Sequence, residues 1–60
     1  MNKEVHQLVE IAEIAMQAND YAHAEKKYID AIYLLDNPES EDYQKVINKL
    51  AKCYSAQENF

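Results

Sequence analysis

The stretch Asn19–Leu35, NDYAHAEKKYIDAIYLL, decides how this chain is read. Tyr21 and Tyr28 lie seven residues apart, as do Ala24 and Ala31, and the two pairs interleave by three and four. That spacing is one face of an α-helix. With Ile32 and Leu35 the face spans an arc of about 100°. The alanines let a neighbouring helix come close, and the rings fill the space beside them. Ile29 and Tyr33 sit on a flank, where a further helix is expected to pack.

Upstream, Val5, Leu8, Val9, Ala12, Ala15 and Met16 follow the same periodicity and predict a helix over about residues 3–18. Asn2 is its expected N-cap, with Glu4 in the first turn. Ile11 and Ile14 lie off that stripe, so this helix is apolar on more than one side. Only Asn19 and Asp20 separate it from the next helix, about 21–35. Asn accepts the left-handed conformation that ends a helix, and Asp caps a new one. So short a joint requires an antiparallel helical hairpin. Downstream, DNPESED interrupts. Pro38 disfavours helix at Asn37 and suits a first helical position, and Asn37 or Ser40 caps a third helix over about 40–57. Its apolar face carries Tyr43, Val46, Ile47, Leu50, Cys53 and Tyr54. Tyr21, Tyr28, Tyr43 and Tyr54 are expected in the core. The expected fold is all-α, one domain over residues 1–60, built as a helical hairpin plus a third helix.

Composition agrees. Among 60 residues there is no Gly and one Pro, which disfavours the tight turns of a small sheet protein. A chain this short buries only about 60 % of its unfolded surface, which is expected either of a fragment or of a subunit that gains stability from a partner. The net charge of −5 argues against nucleic acid, whose phosphates require a basic face. No apolar run approaches the roughly 18 residues of a spanning helix, so no membrane insertion is expected. Cys53 is the single cysteine, which excludes an internal disulfide and suggests a reducing, cytoplasmic setting.

The chain also carries an internal correspondence. An offset of 39 residues superimposes Leu8 on Ile47, Ile11 on Leu50 and Ala12 on Ala51, then Asp20 on Asn59 and Tyr21 on Phe60. With Leu8, Ile11, Ala12 and Ala15 in the first helix, Ala24, Tyr28 and Ala31 in the second, and Pro38 after it, the chain resembles the tetratricopeptide repeat family. Ile47, Leu50, Ala51 and Tyr54 begin a second copy, making about one and a half repeats. The offset exceeds the family's usual repeat of about 34 residues, and resembles the longer repeats of kinesin-light-chain-like members. A weaker resemblance links AKCYSAQE (Ala51–Glu58) to the third helix of the microtubule-interacting-and-trafficking domain.

Little in the chain points to catalysis. His6 and His23 fall on different helices outside any metal-binding spacing, and without Gly there is no phosphate loop. Cys53, between Leu50 and Tyr54, reads as a buried thiol. Neither enzyme activity nor a cofactor is expected. Charge is more informative. Glu4, Glu10 and Glu13 mark the first helix, whereas Lys45, Lys49 and Lys52 form a basic stripe on the third. The offset pairs Glu10 with Lys49 and Glu13 with Lys52, so the stripes are expected either to face each other or to offer lysines to an acidic peptide.

The tetratricopeptide resemblance implies a peptide-binding concave face. By motif position it comprises His6, Val9, Glu13, Met16 and Gln17 from the first helix and Lys45, Asn48, Lys52 and Ser55 from the third, with Lys49 on the adjoining basic stripe. Val9 and Glu13 stand where the chaperone-binding subclass has Lys and Asn, so the resemblance does not imply that subclass's carboxylate clamp. The expectation is a non-catalytic protein-interaction module, as adaptor, chaperone or assembly subunit, with a protein or peptide partner of acidic character. The alternative is a homo-oligomeric building block of a larger helical assembly.

Overall fold

Each helix starts at a short polar side chain that takes up an orphan backbone N–H. In the computed structural model, which describes residues 2–58, α1 spans Lys3–Gln17, α2 Tyr21–Leu35 and α3 Glu41–Gln57. Asn2 Oδ1 accepts from the Val5 N–H at 2.8 Å, Asp20 Oδ1 from His23 at 3.4 Å and Ser40 Oγ from Tyr43 at 3.1 Å. Ser40 is thus the cap of α3 and not its first residue, and Ala18 is the C-cap of α1.

The two-residue joint is fully bonded. Asn19 adopts φ 61° and donates to Met16 O at 3.0 Å, and Asp20 donates to Ala15 O at 2.8 Å. This pair of bonds is the Schellman arrangement, with the left-handed position occupied by Asn in a chain that has no Gly. Asp20 closes α1 through its backbone and opens α2 through its side chain. At the far end of α2, Asp36 is also left-handed, at φ 58°. Asn37 Oδ1 then accepts from the Glu39 N–H at 3.1 Å, and Pro38 lies in the turn before Ser40 and not inside α3.

The core joins Val5, Val9, Ala12 and Ala15 of α1 to Ala24, Tyr28 and Ala31 of α2 and Val46, Leu50 and Cys53 of α3. α2 packs on both neighbours, whereas α1 and α3 hardly touch. Cys53 Sγ reaches the Tyr21 carbonyl at 3.3 Å and Gln57 Nε2 donates to Glu25 Oε1 at 2.8 Å, fixing the C-terminal half of α3 against the start of α2. All-α architecture with an antiparallel hairpin and a third helix is therefore established.

Two aromatic expectations are corrected. Tyr54 is 43 % exposed, because by the offset it matches Ala15, which α2 covers, and no described helix follows α3 to cover it. Tyr33 is 79 % exposed, because only Ile29 of that flank turns into the packing. The Asp20/Asn59 and Tyr21/Phe60 correspondences lie outside the described residues.

Replacing Ala31 by Leu should cost about 1–3 kcal/mol, because no space exists at the seam. A chemical-denaturation midpoint unchanged by that substitution would contradict the close approach of the helices. Asp36→Gly should raise stability by up to about 1 kcal/mol, since it relieves a left-handed non-Gly residue and removes an anion from a helix C-terminus.

Candidate functional site

Because α2 separates α1 from α3, a groove opens along their shared side. It encloses about 410 Å³ and is lined by Glu13, Met16 and Gln17 from α1, Tyr28 from α2, and Lys49 and Lys52 from α3. That volume lies within the range of small-ligand and side-chain pockets. Helical spacing explains the lining: Glu13, Met16 and Gln17 are three and four apart on α1, as Lys49 and Lys52 are three apart on α3.

The groove brings together Glu13, Met16, Gln17, Lys49 and Lys52 of the residues expected on the concave face. Others of that set stand apart. His6 pairs with Glu10 at 2.9 Å on the exposed side of α1, and Lys45 pairs with Glu41 at 3.5 Å along α3. Val9 is buried in the core, and Asn48 and Ser55 are exposed outside the groove lining. Ring periodicity places Tyr28 in the core, and it is buried there, but it also lines the groove. The available signal was its chemistry: a Tyr in place of a Phe at a buried position carries a hydroxyl that needs a polar outlet.

One ion pair bridges the groove. Lys49 Nζ donates to Glu13 Oε2 at 2.7 Å, with both side chains partly exposed. The pairing is one turn away from the expected Glu10/Lys49 and Glu13/Lys52 matches. Repeat-related side chains on helices running the same way point in the same direction, so the lysine that turns back toward α1 lies a turn from the equivalent position. As a partly solvated pair it contributes about 0–1 kcal/mol.

The protonation balance follows from packing. The hydrogen bond to Glu13 holds the Lys49 ammonium above its ordinary pKa. Burial pushes the Tyr28 phenol up, and the Glu13 carboxylate adds to this. Burial also raises the Cys53 thiol. Cys53 is thus a protonated, enclosed thiol, the opposite of an activated nucleophile.

Two smaller hollows also lie on the surface. Ile11, Ile14, Ala15, Ala18, Asp20 and His23 line one of about 250 Å³ across the α1–α2 joint. Ile32, Tyr33, Asp36, Pro38 and Tyr43 line one of about 270 Å³ at the α2–α3 turn. Among the described residues no helix is long and apolar enough to cross a membrane. No protein-family model, curated protein or solved structure matches this chain.

All three raised groups favour the proton-bound state in the fold. Above the ordinary thiol value of 9.0 the unfolded chain releases protons first, so stability falls with rising pH. The decline should continue through the Tyr28 and Lys49 ranges, above their ordinary values of 10.0 and 10.5. Melting temperature measured from about pH 9 to about pH 11 should fall continuously, and a flat profile would contradict these assignments.

Proposed function

We propose that the chain is a non-catalytic protein-interaction module of the tetratricopeptide-repeat kind, which holds a peptide or partner helix in the groove between α1 and α3. The observation that carries this reading is the groove itself, a cleft with both an apolar wall at Met16 and charged walls at Glu13, Lys49 and Lys52. Aliphatic anchoring combined with a few polar groups is how clefts of this size fix a peptide. A helical hairpin followed by a third helix is the order the family resemblance implies, with a 39-residue offset longer than the family's usual repeat. An adaptor, chaperone or assembly role in the cytoplasm fits such a module.

The binding face is tested by charge reversal. A partner is first identified by affinity capture with mass spectrometry and its affinity then measured with purified components. Substitution of Lys49 and Lys52 by Glu should weaken that affinity at least tenfold, while each change alters stability by no more than about 1 kcal/mol. Unchanged affinity in this double variant would remove the groove from the mechanism.

A second reading, self-association, is favoured by one specific observation. Ile14 is 66 % exposed beside the exposed Ile11. In the 39-residue correspondence these two match Leu50 and Cys53, which α2 covers. The equivalent face of α1 is thus an uncovered version of a surface that is buried elsewhere in the same chain. Under this reading light scattering at micromolar concentration yields a mass above that of one chain, and Ile14→Glu returns it to one. A strictly monomeric wild-type chain with a cooperative melt would eliminate self-assembly.

A further inference from the structure

The groove contains hydrogen-bonding capacity that the fold itself does not use. Tyr28 is only 2 % exposed, and the fold pairs every enclosed side-chain polar atom among the described residues, but no described residue bonds the Tyr28 hydroxyl. The hydroxyl therefore opens onto the groove that its ring lines. Lys52 lines the same groove, and the ion pairs among the described residues leave its ammonium without a carboxylate. Lys49 does have one, Glu13 at 2.7 Å. Two ammonium groups thus face one carboxylate in the groove of a chain whose net charge is −5. A local cationic excess on an acidic protein is maintained against the overall field, and it selects an anionic group.

Resting on the groove reading above, we propose that this end of the groove is a subsite for a single carboxylate, an Asp or Glu side chain of the bound peptide next to an aliphatic residue seated on Met16. The carboxylate accepts hydrogen bonds from the Tyr28 hydroxyl and the Lys52 ammonium. Glu13 is its internal competitor: it holds Lys49 when the groove is empty and yields that lysine when the ligand arrives. One excess cation matches a monoanion, and the Glu13 carboxylate on the opposite wall disfavours a dianion such as a phosphate. Bonds from a buried phenol and an ammonium to a carboxylate are charge-assisted and short, which gives the subsite direction as well as affinity.

The test uses the intact, isotopically labelled chain and an array of matched short peptides, each made in Glu, Gln and phosphoserine versions at one position. Amide shifts at Met16, Gln17, Tyr28, Lys49 and Lys52 report occupancy of the groove. Glu versions should bind more tightly than their Gln counterparts. Glu13→Gln should strengthen Glu-peptide binding by about threefold to fivefold, the worth of one partly solvated ion pair. Tyr28→Phe keeps the ring in the core and should narrow the Glu-to-Gln preference, and circular dichroism verifies that both variants remain folded. Equal binding of Glu and Gln versions in the wild type and in Glu13→Gln would overturn the carboxylate subsite and leave the groove reading intact. Preference for phosphoserine over Glu would overturn it in favour of a phosphate site. If no peptide of the array moves the groove amides, the groove reading fails and the subsite with it.

Discussion

Everything else in this molecule depends on how closely α2 approaches α1. Ala12, Ala15, Ala24 and Ala31 are all buried, so the two backbones meet across side chains of one carbon each. That distance permits a joint of only two residues, Asn19 and Asp20, because a wider separation would need a longer connection. The joint in turn fixes the rotation of α2, since Asp20 N–H closes α1 while Asp20 Oδ1 caps α2. With the rotation fixed, Ala24, Tyr28 and Ala31 enter the core, and Ile29 and Ile32 pack against it. Larger residues at the seam would move α2 outward and break the correspondence between cap and core.

The same arrangement creates the groove. A central helix that contacts both neighbours holds them apart, and the space between α1 and α3 is floored by the Tyr28 ring. Tyr28 thus belongs to both the core and the groove: its ring packs and its hydroxyl does not. The Glu13–Lys49 pair bridges α1 and α3 across the groove, and partly solvated pairs add little to stability. Its larger effect is electrostatic, since it leaves one ammonium of the groove uncompensated. The basic stripe that sequence periodicity places on α3 becomes, in three dimensions, Lys45 paired along its own helix, Lys49 paired across the groove, and Lys52 open.

What the sequence revealed and what it concealed divides along locality. The caps at Asn2 and Asp20 and the left-handed Asn19 were legible because each is decided within four residues. Asp36 was not, because in DNPESED the proline and the candidate caps dominate the local signal while the left-handed residue comes just before them. Tyr54 and Tyr33 carry the right periodicity and are nonetheless exposed, because periodicity identifies a face and only the neighbouring elements determine whether it is covered. The groove residues Glu13, Met16, Gln17 and Lys52 were accessible through motif position, and Lys49 through the basic stripe. His6, Asn48 and Ser55 share that assignment and line no part of it, since the lining is limited to where α1 and α3 draw level.

An alanine seam has an energetic consequence. It allows close packing but removes little apolar area from water, and the largest fully buried side chains are only Val5, Val46 and Cys53. Ile11, Ile14, Tyr33, Leu34 and Tyr54 remain exposed. Much of the apolar surface that would ordinarily stabilise the fold thus lies outside it. Domains of this size rarely hold more than about 3–5 kcal/mol. A partner present at a hundred times its dissociation constant adds about 2.7 kcal/mol, comparable to the fold's own stability. A partner that occupied the groove or covered the Ile11–Ile14 face would therefore shift the folding equilibrium by an amount comparable to the net stability of the fold.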